Sequence, residues 1–130
     1  MSSIQIFSYN VCQGVGGKKL DPEVEKLTKA IEERYPGHVI GVNFERGGLE
    51  IDIETRNAII EVKAGRGKGL GRQVTDRLSG PANPEKKPVI GYSQQLGPHA
   101  AREINKRGGI AAGGVACDLE ILLEILRPNP

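Results

Sequence analysis

Residues 47–65, GGLEIDIETRNAIIEVKAG, constrain the fold of this chain more than any other stretch. Leu49, Ile51 and Ile53 alternate with Glu50, Asp52 and Glu54, the period of two that puts apolar and acidic side chains on opposite faces of a strand. In the run that follows, Ile60 and Val62 share one face, and Glu61 and Lys63 share the other with Ile59. Thr55-Arg56-Asn57-Ala58 is short enough to close the two runs into a hairpin on Arg56-Asn57. That closure sets Asp52 opposite Glu61 and Glu50 opposite Lys63. Three carboxylates and one ammonium then crowd a small patch. Like charges directly across a ladder cost roughly 0.2–1 kcal/mol each, so the arrangement brings a purely structural strand no benefit. A bound cation would remove the conflict.

The 130 residues fit one domain with a core of its own. Residues 1–20 are expected to form an N-terminal extension, a strand over 3–12 or a linker through Gly14–Gly17, and residues 21–130 the body of the domain. Asp21 caps a helix that begins at Pro22, carries Val24, Leu27, Ile31 and Tyr35 on its apolar stripe, and stops at Pro36-Gly37. Glu25 and Glu32 sit together at one edge of that stripe. Residues 38–48 read as a strand ending in a Gly-Gly turn, which makes a three-strand antiparallel meander with the hairpin. Leu70, Val74 and Leu78 mark a helix that turns Gln73 and Arg77 to a different side. Residues 87–93, KPVIGYS, form a short buried strand, and Pro98 and Gly108 bracket another helix. IAAGGVAC is a last strand, and Asp118 caps a terminal helix. The resulting order, α-β-β-β-α-β-α-β-α, is α/β: a mixed sheet flanked by helices.

Charge is informative locally rather than globally. The formal net charge is only +2, but Lys63, Arg66, Lys68, Arg72 and Arg77 follow the acidic patch against the single acid Asp76. Such a segment suits a polyanion held near a cation site. With 4% aromatic residues and no Trp, the chain has few platforms for stacking bases, so recognition of a nucleic-acid backbone is favoured. No apolar run approaches the ~20 residues of a membrane span, and the first residues lack the pattern of a signal peptide. Cys12 and Cys117 have neither CxxC nor Cys/His spacing and are expected as reduced thiols. Lys18 and Lys19 follow glycines but lack the Walker spacing. His38 and His99 lack an HNH-like neighbourhood, with a phosphate contact the most expected of His99. Tyr9, Tyr92 and Ser93 lack the partners of covalent catalysis.

Asp52 on the second strand, and Glu61-Val62-Lys63 on the third, resemble the PD-(D/E)xK nuclease superfamily with its restriction-endonuclease-like fold. The likeness spans about residues 21–95 and departs from the literal motif in having Ile51 where the name has Pro. It implies that Asp52, Glu61 and the Val62 carbonyl hold Mg²⁺ or Mn²⁺, and that Lys63 acts on the attacking water or the developing charge. A further acid from the first helix is implied, Glu25 or in reserve Glu32, as is a catalytic Gln73. Arg66, Lys68, Arg72 and Arg77 would contact nucleic acid. Residues 87–125 look similar to the small toxin domains of this fold carried by bacterial secreted effectors. That likeness implies action in the cytoplasm after delivery and an immunity protein as partner. Two alternatives stay open: a housekeeping repair or junction-resolving nuclease acting as a homodimer, and an inactive nucleic-acid-binding module.

Overall fold

The computed structural model describes residues 21–114 and 118–128. The expectations for residues 1–20, including Tyr9 and Cys12, and those for Cys117 and the capping side chain of Asp118, lie outside the described residues. Within them the order of elements is the expected one: α1 (Pro22–Arg34), β1 (Val39–Arg46), β2 (Leu49–Thr55), β3 (Ile59–Val62), α2 (Leu70–Arg77), β4 (Val89–Ser93), α3 (Pro98–Lys106), β5 (Ile110–Gly113) and α4 (Asp118–Ile125). The strands lie side by side in sequence order. β1, β2 and β3 form an antiparallel meander, while β3–β4 and β4–β5 are parallel, with α2 and α3 as crossovers.

Two apolar clusters make the sheet the middle of three layers. Val24, Leu27 and Ile31 of α1, with Leu122, Leu123 and Leu126 at and beyond α4, pack with Ile53, Ile60 and Ile90 on one side. Leu70 and Val74 of α2 and Ile104 of α3 pack with Ile51, Ile59 and Val89 on the other. β4, an inner strand beside the central β3, is buried along its whole length, as its unbroken apolar run requires.

Local chemistry explains the boundaries. Asp21 Oδ1 accepts from the Glu23 N–H at 2.8 Å, and Pro22 needs no amide partner at the first helical position. The β1–β2 hairpin turns on Gly47 and Gly48, with φ of 64° and 84°. Only glycine fits at 47, because a Cβ there would lie 2.5 Å from the Ala82 nitrogen as well as requiring the left-handed region. The β2–β3 turn closes with the Thr55 N–H donating to the Ala58 carbonyl at 2.8 Å.

Strict alternation along β2 fails between Ile51 and Ile53. Leu49 and Ile51 face the α2/α3 side, whereas Ile53 faces α1 and α4. The change of face coincides with Asn43 of β1, held at φ 52° between the Val42–Ile53 and Phe44–Ile51 pairs. Both faces of this sheet are covered, so apolar side chains are stabilised on either side of the break.

The acidic row is divided in consequence. Glu54, only 4% exposed, accepts both guanidinium nitrogens of Arg46 at 3.0 Å and the Lys87 ammonium at 2.9 Å. Burial pushes the Glu54 carboxyl up, but the hydrogen bonds from Arg46 and Lys87 outweigh it and hold the group below its ordinary value. Lys87 also donates to the Thr55 carbonyl at 2.9 Å, and Asn83 secures the Lys87 backbone from both sides. Glu54 therefore ties the hairpin to the approach to β4. Replacing Lys87 by Ala leaves half of a buried pair exposed to Arg46 alone, and should lower the unfolding free energy by about 3 kcal/mol in urea titrations. Because the folded carboxyl is depressed, the pairing contributes above the ordinary carboxylate range and is lost on acidification, so the cost of Lys87→Ala should shrink as pH falls through it.

Candidate functional site

The site forms where the meander comes apart. β2 and β3 pair at Glu54–Ile59 and Ile53–Ile60, the register expected from the sequence, and the main-chain ladder then ends. Beyond it β3 belongs to β4, paired through Val62–Tyr92 and continued by the Lys63 N–H to the Tyr92 carbonyl at 3.0 Å. β2 instead stays with β1, where Phe44 pairs with Ile51 and Glu45 with Glu50. Side chains close the gap: the Val62 N–H donates to Asp52 Oδ2 at 2.8 Å, and the Asp52 N–H donates to Glu61 Oε2 at 3.3 Å. Each carboxylate satisfies an amide that the parting strands would orphan.

This cross-bracing brings two acids together in a dry place. Glu61 is 2% exposed. Burial first, and the neighbouring Asp52 charge second, push its carboxyl up to about 8, against the smaller opposing pull of Arg77. Asp52 is also raised, again chiefly by burial, with the charges of Glu50 and Asp21 adding to the push and the Val62 amide opposing it. The like-charge conflict implicit in the hairpin register is thus present in the folded chain.

Its partial relief comes from Arg77. Arg77 is 8% exposed, with Nε 3.2 Å from Glu61 Oε2, and donates to the carbonyls of Glu50 and Gln73 at 2.9 and 2.8 Å. Instead of joining a basic surface, it is built into the site behind Glu61. The expected cross-strand pair of Glu50 with Lys63 does not form: among the described residues no ion pair joins them, because the strands have separated before reaching that position. Lys63 is exposed and lies against the start of α2, where a Cβ on Gly69 would be 3.9 Å from its Nζ. Gly69, Gln73 and Arg77 recur every four residues, one stripe of the helix running from Lys63 to Glu61. Gln73, midway along that stripe, has its Oε1 buried and without a hydrogen-bond partner.

The two candidates on α1 separate clearly. Glu32 is 1% exposed, and its carboxylate accepts the Gly37 and Val39 amides at 2.9 and 2.7 Å, which clamps the helix to β1. Its carboxylate oxygens are committed to that clamp. Glu25 is half-buried and meets Lys29 at 3.7 Å across one helical turn, an exposed pair of little energetic weight. Arg66, Lys68 and Arg72 are exposed around the loop from β3 into α2. His38 is buried with Nε2 3.1 Å from Asn57 Oδ1, on the connection from α1 to β1. Ser93 Oγ donates to the Gly65 carbonyl at 2.5 Å, a loop tie.

Among the described residues no three acidic, histidine or cysteine side chains converge on one point. A cation here would rest on the Asp52 and Glu61 carboxylates, with a main-chain carbonyl such as that of Val62 and water completing the shell. These are hard oxygen donors, and two carboxylates with retained water are a usual complement for Mg²⁺ or Mn²⁺. The donor chemistry and the open acceptor of Gln73 fit such an ion. Comparisons with protein-family models, with curated proteins and with solved structures returned no match to this chain.

A carboxyl raised by folding binds a proton more tightly in the native state. Its stabilising contribution is therefore complete below the ordinary value of 4.5 and is lost as pH rises toward about 8. In chelator, the urea midpoint of the wild type should fall across that window by the equivalent of a few kcal/mol, and Glu61→Gln should flatten the decline.

Proposed function

We propose that this chain is a metal-dependent endonuclease of the PD-(D/E)xK, restriction-endonuclease-like class, hydrolysing phosphodiester bonds of DNA or RNA, and that it serves as a toxin-type effector domain. The observation that carries the reading is the enforced meeting of Asp52 and Glu61 across the opened hairpin, each holding the other strand's amide and each disfavoured as an anion. Two buried carboxylates set together cost stability even while they satisfy those amides, and a cation held between them would offset that cost. The helix, antiparallel meander and parallel crossover in this order also support the class.

The residues divide the work by position. Asp52 and Glu61 would hold Mg²⁺ or Mn²⁺, which when bound supplies Lewis-acid polarisation of a phosphoryl oxygen and a more acidic water. Arg77 anchors Glu61 from behind through a buried ion pair, and its further bonds to the Glu50 and Gln73 carbonyls fix its own position. Lys63, two residues beyond Glu61 and exposed, presents an ammonium where a phosphate can approach, to orient the attacking water or to stabilise charge on the phosphate. Gln73, one turn of α2 before Arg77, would offer its unpartnered side-chain oxygen to the same site. The low aromatic content supports recognition of the backbone by exposed Arg66, Lys68 and Arg72 rather than by base stacking. The toxin assignment rests on the similarity of residues 87–125 noted above and entails an immunity protein as partner.

Supercoiled plasmid and total tRNA, incubated with the purified chain in Mg²⁺, Mn²⁺ or chelator, test the proposal. Cleavage of one of them should require the cation. Lys63→Ala should reduce it at least ~100-fold, the size expected for loss of a charge-stabilising donor, and Asp52→Ala should abolish it. Binding without cleavage, or undiminished cleavage by Lys63→Ala, would sink the catalytic reading.

A further inference from the structure

A second feature adjoins Gly69. The start of α2, the loop leading to it and the start of α3 enclose a cleft of about 400 Å³, lined by Arg66, Lys68, Arg72, Arg107, His99 and Glu103. Four permanent cations thus face one carboxylate. That carboxylate is already engaged, since Glu103 Oε1 lies 3.4 Å from Arg107 Nε. Arg66, Lys68 and Arg72 have no acidic side chain within ion-pairing distance among the described residues. Uncompensated like charges gathered in a concave place repel one another and raise the local potential for an anion.

The backbone shapes the cleft for close approach. Gly67 and Gly69 take φ of 87° and 90°, which lets the loop fold over the pocket floor. Gly97 lies directly against the Arg66 guanidinium, where a Cβ would come within 2.8 Å of a terminal nitrogen. Gly69 and Gly97 are also the N-caps of α2 and α3, and neither helix has a side-chain cap there. The positive ends of both helices accordingly add to the field of the arginines and lysine.

We infer that this cleft seats an internal backbone phosphate of a nucleic-acid strand, the one lying beyond the Lys63 side of the phosphate held at Asp52 and Glu61. Gly69 lines the cleft and lies beside the Lys63 ammonium, so the cleft and the lysine are neighbours and one strand could meet both. The inference rests on the nuclease reading for its ligand. It adds His99 and Arg107 to the binding surface, and makes the substrate a polymer that reaches past the cut bond instead of an isolated diester.

Binding of short fluorescent strands of DNA and of RNA carrying a 5′-hydroxyl, measured by anisotropy in chelator over a range of salt, separates this seat from the chemistry. The wild type should bind, and Asp52→Ala should bind at least as tightly. Arg66→Ala/Arg72→Ala, which changes only exposed side chains, should bind about tenfold more weakly and reduce the log–log salt slope by between one and two. In parallel, amide NMR shifts of Gly69, Gly97, His99 and Ala100 should move with the strand in the wild type and stay still in the double variant. Unchanged affinity and slope in the double variant would overturn the inference, as would binding that requires a 5′-phosphate, or amide shifts produced by inorganic phosphate with no strand binding at all. Failure of the nuclease reading shows separately, as strand binding without metal-dependent cleavage.

Discussion

The separation of β2 from β3 after the Ile53–Ile60 pair is the constraint on which the rest of the molecule turns. Past that pair β3 remains paired with β4 and β2 with β1, while the edges that β2 and β3 turn toward each other no longer share a main-chain ladder. Two amides are stranded at the fork. A water-filled fork would leave a hole between two packed faces, and an apolar one would leave the amides unsatisfied at a cost of about 1–3 kcal/mol each. Asp52 and Glu61 resolve this by reaching across, one to the Val62 amide and one receiving the Asp52 amide. The same geometry that completes the backbone hydrogen bonding makes an acidic centre.

Once two carboxylates are placed there, the neighbouring elements are arranged around their charge. α2 crosses over the fork and sends Arg77 inward to Glu61, while Lys63 stays outside against the helix start. Glu54, two residues along β2, is separated from the pair by the change of face near Asn43 and is neutralised independently by Arg46 and Lys87. Asp52 and Glu54, both on β2, consequently have opposite fates. Glu54 is held down by two cations and serves the fold, whereas Asp52 and Glu61 share one arginine and remain raised. The Asp52–Glu61 pair is thus left short of positive charge, and the Glu54 cluster is not.

The cationic residues follow the same division. Sequence order runs Lys63, Arg66, Lys68, Arg72, Arg77 as if along one basic segment. Folding sends the last inward and gathers the middle three with Arg107 and His99, which are remote in the chain, around a cleft at two helix starts. Arg107 carried no local signal, since a helix-flanking arginine is common on any surface, and His99 offered at most a phosphate contact from a first helical turn. For Arg77 a signal did exist: seven residues after Leu70 and three after Val74, it shares their buried side of α2 and had to find a counter-charge inside the fold.

Much of the fold was legible in the residues because it depends on local chemistry. The Asp21-Pro22 helix start, the Gly47-Gly48 turn, the Thr55–Ala58 closure and the apolar run of β4 each dictate their conformation within a few residues, and the hairpin register that sets Asp52 opposite Glu61 follows from turn length alone. What only the tertiary structure decided depends on which strand a backbone amide finds as its partner. The fork beyond Ile53, the loss of the Glu50–Lys63 pair, the commitment of Glu32 to the Gly37 and Val39 amides and the inward turn of Arg77 all depend on how neighbouring elements are placed against one another. Alternation along a single strand cannot reveal that placement, because it records which side a residue faces and not what will be waiting there.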